Sequence, residues 1–190
     1  MVYAIGESSR CNVSVQVRVA IRPPRAGDGP AFLSAVGRSR SLHYPWVSPP
    51  ATTKAFASYV ERAVSESHRG FLVIHRQTGD IVGVINLNDL IRGAFHNAFL
   101  GYYSFLPHAG GGLMYEGMRL VLSHAFRKLK LHRLEANIQP GNRASIALAQ
   151  KCGFVREGFS RRYLKIFGRW KDHERWALLS EDFDLSVHRD

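Results

Sequence analysis

The readable pattern opens at Val13, Val15, Val17 and Val19, which alternate with Ser14, Gln16, Arg18 and Ala20. A period of two sets the valines on one face of a strand, and Pro23-Pro24 ends it because proline brings no N–H to a ladder. Residues 1–12 show no periodicity and read as a loose or strand-swapped arm. Asp28 suits the cap of a short helix over 31–39, and the prolines of His43-Tyr44-Pro45-Trp46-Val47-Ser48-Pro49-Pro50 make a loop. Phe56, Tyr59, Val60 and Ala63 fall on one face of a helix over 52–67. Strands follow at 71–76, 81–90 and 98–105, with turns at Thr78-Gly79-Asp80 and Arg92-Gly93. Met114, Met118, Val121, Leu122, Ala125, Phe126 and Leu129 then recur at helical spacing. A strand at 134–139, a helix at 142–152 and two strands within 154–179, joined near Phe167-Gly168, complete the order. A meander followed by alternating strands and helices predicts a mixed α+β fold on one sheet.

Composition narrows the picture without choosing a function. The 190 residues are 45% hydrophobic and 22% charged, enough for one core without a disulfide or metal staple. We take 13–182 as one domain, 1–12 as an arm and 183–190 as a tail. Runs such as 71–74 and 81–85 are far too short to span a membrane. With no charged-then-apolar leader in view, a soluble cytoplasmic protein is expected. Cys11 and Cys152 form no zinc spacing and no framework. His124 and His132 are eight apart and no other histidine pair forms a metal constellation, so no metal is expected. The net charge is +11, which favours acidic partners. Arg127, Lys128, Lys130 and Arg133 form one cluster; Arg161, Arg162, Lys165, Arg169 and Lys171 form another. Such clusters serve either as solvated faces or as a surface for RNA or a ribosome.

The chemistry concentrates where a strand runs into Gly110-Gly111-Gly112 and the glycines run into a long helix. Glycine admits close approach of a ligand to the backbone, and the first N–H groups of a helix lack internal partners. With the helix dipole they suit a phosphate or pyrophosphate, although the same glycines serve equally as plain turn chemistry. No Gly-Lys-Ser/Thr follows, so this is no Walker loop, and Tyr115 breaks a Gly-x-Gly-x-x-Gly reading.

Gly110-Gly111-Gly112-Leu113-Met114 resembles the acetyl-CoA pyrophosphate loop of the GNAT N-acetyltransferases, Gln/Arg-x-x-Gly-x-Gly/Ala. His132-Arg133-Leu134-Glu135-Ala136-Asn137, Pro140, Asn142, Ser145, Gly153-Phe154, Glu157-Gly158, Tyr163-Leu164, Gly168, Trp170 and Asp172-His173 follow the same family in order. Upstream, Gly83-Val84, Asn86, Arg92-Gly93, Phe95-His96 and Leu100-Gly101-Tyr102 are also in register. Over about residues 13–182 the chain is similar to the RimJ/RimL-type branch, the ribosomal-protein N-terminal acetyltransferases, and within it to the alanine-acetylating RimJ type. The resemblance implies the acyl-CoA N-acyltransferase fold, a mostly antiparallel mixed sheet with two splayed parallel strands and flanking helices. It implies acetyl-CoA in the splay, with main-chain groups of Tyr103 and Phe105 on the pantetheine and Gly110, Gly111, Gly112 and Leu113 around the pyrophosphate. Asn142 would reach the cofactor or cap its helix, and the two roles are compatible. Pro107 departs from the pattern's Gln/Arg, and Gly111 stands where a basic residue is common, so one contact and one positive charge are missing. His108 restores part of that charge only when protonated.

Acetyl transfer requires a neutral amine, an aligned thioester, oxyanion stabilisation and a proton for the leaving thiolate. The tyrosine many relatives use as acid corresponds here to Ala149, whereas Ser145 matches the serine of the RimL type. The glutamate base of that type corresponds to Leu164, so no carboxylate carries over. Asn86 and Asn88 share a strand face, with Asp89 and His96 near the next turn, and Asn86 either orients a water or the amine or simply faces solvent. A protein α-amino group titrates near 7.7–8.0 against ~10.4 for lysine, so a site without a strong base fits an N-terminal amine better. The acceptor groove is expected between the 43–50 loop with its following helix, where His43, Tyr44 and Trp46 are wall candidates, and the 167–170 hairpin. Cys152 at a helix end reads as buried, not nucleophilic. The expected function is acetyl transfer to a protein N-terminus such as that of a ribosomal protein. The alternatives are a polyamine, aminoglycoside or toxin as acceptor, or a non-catalytic RNA- or ribosome-binding protein; the oligomeric state is left open.

Overall fold

Four consecutive apolar residues, Phe71-Leu72-Val73-Ile74, can be buried only if both faces of their strand are covered, and that condition organises the molecule. In the computed structural model, which describes residues 17–183, they lie on β2 (Arg69–His75). Phe71 and Val73 turn to a core shared with α4 (Leu113–Ser123) and α5 (Arg143–Lys151), while Leu72 joins Phe32, Phe56 and Tyr59 of α1 (Gly29–Arg38) and α3 (Thr53–Arg62). The expected arm at 1–12, Cys11, Val13, Val15 and the residues beyond 183 lie outside the described residues.

The remaining strands are β1 (Val19–Arg22), β3 (Ile81–Ile91), β4 (Asn97–Ser104), β5 (Arg133–Ile138), β6 (Val155–Ile166) and β7 (Arg169–Leu179). They form one seven-stranded sheet in the order β1-β2-β3-β4-β5-β7-β6. Every neighbouring pair is antiparallel except β4 and β5, as the mixed-sheet expectation required. Helices cover both faces and the edge strand β6 extends past them, with no residue fully buried.

Local chemistry moved several boundaries. The expected helix at 31–39 starts at Gly29, because Asp28 spends its carboxylate on the Arg22 guanidinium at 2.6 and 2.7 Å and on the Arg25 N–H instead of capping. Part of the expected loop is a short helix, α2 (Arg40–His43), which carries His43 into the interior at 4% exposure. The helix at 52–67 stops at Arg62; Thr52 caps it by accepting the Ala55 N–H. The long amphipathic helix ends at Ser123 and passes into a π-helical turn over His124–Lys128. Phe183, assigned to the tail, is buried with its ring 5.4 Å from that of Phe126.

Two glycines hold the start of α4 against the sheet. A Cβ on Gly83 would stand 2.4 Å from Met114 Sδ, and one on Gly117 would stand 2.7 Å from Val73. Both approaches are closer than any side chain allows, so the glycine-to-helix junction is seated directly over β2 and β3.

Candidate active site

The parallel pairing of β4 with β5 stops at Leu100 opposite Ala136. Beyond that point the strands part, and a cavity of about 890 Å³ opens between Gly101–Ser104 on one side and Asn137–Gln139 on the other. The Phe105 N–H donates to the Val82 carbonyl at 2.8 Å. Main-chain direction alternates along a strand, so the Tyr103 groups also face β3, and those of Tyr102 and Ser104 face the gap. The expectation for Tyr103 and Phe105 is therefore corrected by one residue: the main-chain groups turned to the gap are those of Tyr102 and Ser104. Phe105 is fully buried against Phe32, and burial raises the Tyr103 phenol well above its ordinary pKa.

At the cavity's other end, Gly110 and Gly112 adopt φ values of +84° and +80°, which L side chains rarely adopt. The N–H groups from Gly110 to Met114 find no acceptor among the described residues, leaving a concave row of donors at the N-terminus of α4. Gly110 and Gly112 line the cavity; Leu113 contributes its amide while its side chain is buried. Gly111 is turned away and its carbonyl accepts from Arg18 Nη2 at 3.1 Å. Arg18 also donates through Nε and Nη2 to Glu116 in the first turn of α4, so a residue just before β1 clamps the loop. The second cation is Lys151, which lines the cavity with its ammonium 4.4 Å from the centre of the Tyr115 ring. His108 is engaged elsewhere, with Nε2 3.1 Å from Asp80 Oδ2 and its ring stacked on His75.

Ser145 sits in the first turn of α5, facing the gap. Its hydroxyl donates to Tyr102 Oη at 2.8 Å, and Tyr102 Oη donates back to the Ser145 carbonyl at 3.0 Å. Burial raises the Tyr102 phenol pKa, so it stays protonated as Ser145's partner. Asn142 caps α5 by accepting the Ser145 N–H at 3.2 Å, which fixes the turn carrying the hydroxyl. Asn142, Ser145 and Tyr102 all line the cavity.

The acceptor wall is divided. His43 and Trp46 line the cavity, as do Leu42, Arg62, His68, Asn88 and Asp89. His43 Nε2 donates to the Ser104 carbonyl at 2.9 Å, and burial lowers the ring's pKa, so the neutral form holds this end of β4. Its Nδ1 is buried without a partner. The Trp46 carbonyl accepts from Gln139 Nε2 at 3.1 Å, tying the loop to the end of β5. Tyr44 projects outward and meets Phe167 across the mouth, with ring centres 5.4 Å apart. Opposite stand Tyr163, Leu164 and Ile166. Asn86 is not among the lining residues; its Oδ1 accepts from the Tyr59 hydroxyl at 2.9 Å, and Asn88, two residues on, lines the cavity instead. Among the described residues no cluster of His, Cys, Asp and Glu could hold a metal ion, and no helix is long and apolar enough to cross a membrane. Burial raises the Cys152 thiol to about 12, leaving it inert.

Residues 18–155 match the acetyltransferase (GNAT) domain family. The chain belongs to that family. It is 39% identical over 129 residues to the probable N-acetyltransferase YjcK of Bacillus subtilis (strain 168), covering 68% of this chain and 71% of that one. It is 38% identical over 104 residues to the [ribosomal protein uS5]-alanine N-acetyltransferase of Escherichia coli (strain K12), a stretch covering 55% of this chain and about half, 54%, of that enzyme. Mycobacterium smegmatis RimJ in complex with CoA-disulfide superposes with a TM-score of 0.81 at 27% identity, covering 89% of this chain and 85% of that one. The chain is an N-acetyltransferase of the RimJ/RimL-type branch.

Within that GNAT frame, sequence reasoning missed Arg18, Tyr102 and Lys151 as site residues. Arg18 reads as one polar position of an alternating strand, and only the fold brings it to a loop 93 residues away. Lys151 had a weak signal, lying on the helix that Asn142 caps. Tyr102 had one too, since it stands in a strand aimed at the glycines.

Proposed function

We propose that this protein transfers the acetyl group of acetyl-CoA to a primary amine, the α-amino group of a protein N-terminus such as that of a ribosomal protein. The observation that carries the choice of amine is the cavity's charge. Among the described residues Asp89 is its single acidic lining residue, against Arg62 and Lys151. A polyamine or aminoglycoside carries several positive charges and needs several carboxylates to desolvate them; an uncharged α-amine needs none. The 38% identity to a uS5-alanine N-acetyltransferase supports the same acceptor.

The residues present suit acetyl-CoA. The open amides of Gly110–Met114 suit the pyrophosphate, with Lys151 supplying positive charge at the cavity and Arg18, paired with Glu116, holding the loop. Tyr102 and Ser104 offer main-chain groups along the splay. The neutral amine attacks the thioester carbonyl carbon, the C–N bond forms and the C–S bond breaks. The departing sulfur, with a thiol pKa of about 8.5, takes the Ser145 hydroxyl proton. Tyr102, kept protonated by burial, orients the Ser145 hydroxyl, and solvent returns the proton that the serine gives up. The amine's own proton leaves at the end of the cavity where His68 and Asp89 stand 3.8 Å apart.

The test is acetyl-CoA-dependent mass gain, read by mass spectrometry. Substrates are peptides beginning with Ala, Ser or Met, an N-blocked peptide with an internal lysine, spermidine and an aminoglycoside. Product confined to free peptide N-termini is expected. Product on spermidine or the aminoglycoside alone would replace the protein acceptor with a small amine.

A further inference from the structure

The β6–β7 hairpin carries a surface that acetyl transfer does not use. Between positions 161 and 171 stand Arg161, Arg162, Lys165, Arg169 and Lys171. None of the five forms an ion pair among the described residues, whereas Arg18, Arg22, Arg133 and Arg156 are all paired. The neighbouring acid, Asp172, spends Oδ1 on the Arg162 main-chain N–H at 2.7 Å. Exposed rings alternate with these cations: Phe159 is 46% exposed, Phe167 51% and Trp170 61%. The other basic cluster, at 127–133, has no exposed Phe, Tyr or Trp ring within its own segment, and its Arg133 is held by Glu135 and Glu157.

Register separates the hairpin's two faces. Leu164 pairs with Lys171 and Ile166 with Arg169, and Leu164 and Ile166 line the acceptor cavity. Directly paired residues share a face, so Arg169 and Lys171 stand on the cavity side with Ile166 and Leu164, whereas Lys165 and Trp170, paired with each other, share the opposite face, turned from the cavity. Uncompensated cations interleaved with exposed aromatic faces are the elements of single-stranded nucleic-acid recognition, in which cations follow phosphates and rings stack on bases.

We propose that the outer face of the β6–β7 hairpin, centred on Lys165 and Trp170, binds single-stranded RNA beside the mouth of the acceptor cavity. A second copy of the chain fits this face poorly, since a two-fold contact would set unpaired cations against themselves. An acidic peptide would satisfy the charges but give Trp170 nothing to stack on. Bound here, an RNA would hold the protein riding on it next to the cavity, so an acceptor already assembled on RNA is the one presented.

Binding is read directly, without acetyl transfer, so its outcome is independent of the proposed acceptor. The full chain is titrated into a labelled, mixed-sequence 12-nucleotide single-stranded RNA and followed by fluorescence anisotropy. Three phosphate contacts, from Arg161, Arg162 and Lys165, at a slope of about 0.7 each predict roughly 20-fold weaker binding at 200 mM salt than at 50 mM. Arg161→Glu with Lys165→Glu is expected to weaken binding more than tenfold and to reduce the slope by roughly 1.4. Trp170→Ala is expected to weaken it between about 5- and 100-fold with the slope unchanged. All three side chains are exposed, and unchanged circular dichroism and melting confirm folding. Indifference of RNA binding to these changes would overturn the proposal. So would equal competition by polyglutamate or anionic lipid vesicles, or a dimer in sedimentation that the same substitutions dissociate.

Discussion

The two ends of the cavity are built from different materials. At the glycine end the donors are main-chain amides, fixed by the conformations of Gly110 and Gly112 and by Gly83 and Gly117, which seat α4 on the sheet. At the other end the wall is made of side chains from segments far apart in sequence: His43 and Trp46, His68 and Asp89, Tyr163 and Leu164. A main-chain cradle tolerates side-chain replacement provided no Cβ intrudes; a side-chain wall changes with every substitution. At the glycine end the nearby cations differ too: Lys151 lines the cavity, whereas the charge of Arg18 is balanced by Glu116 and its role is to clamp the loop.

The contrast is sharpened most by Gly112→Val, which places a β-branched residue at a φ of +80°. Affinity for CoA is expected to fall more than about 100-fold by calorimetry. Trp46→Ala should leave that affinity within about threefold and raise the KM of the amine roughly tenfold. Equal loss of CoA affinity in both would break the division. Next in size, Ser145→Ala is expected to lower kcat about 10- to 100-fold, and Tyr102→Phe about 3- to 10-fold, with CoA affinity within about twofold in each. A larger effect in the tyrosine variant would move the acid role to Tyr102. Arg18→Ala should weaken CoA about 3- to 10-fold and leave the amine's KM unchanged, a modest figure because half of the Arg18 side chain meets solvent.

The smallest effect is one of pH. Burial is the first cause of lowered pKa values at His43, His124 and His173. On acidification the unfolded chain binds these protons first, from about pH 6.5, while the folded rings stay neutral. Stability is therefore whole above that pH and falls as the folded pKa values are approached. Thermal melting should show the decline between pH 7 and 5.5, shallower in His43→Gln, which keeps a donor for the Ser104 carbonyl. An identical slope would place the titration elsewhere.

Element order and the mixed sheet were legible because hydrophobic period and glycine position are local signals, and the parallel pair and its splay came with the resemblance. Ser145 and Asn142 were legible as a motif on a capped helix. The one-residue error at Tyr103 and Phe105 arose because period marks which face a side chain takes, whereas only pairing with β3 fixes which way the main chain points. Asn86 and Asn88 are equivalent by spacing; Tyr59, contributed by α3, engages one of them. Arg18 was hidden because a clamp between residues 18 and 116 has no signature in either neighbourhood.

The splay also has a mechanical consequence. Strands β1 to β4 and strands β5 to β7 are joined by paired residues only from Asn97 to Leu100 against Arg133 to Ala136. The sheet is thus two panels sharing a short seam, open along the rest like a book sewn at one end. An extended molecule laid in the opening acts as the missing stitches, so its arrival stiffens the hinge between the panels, and slowed amide exchange should reach both banks of the gap.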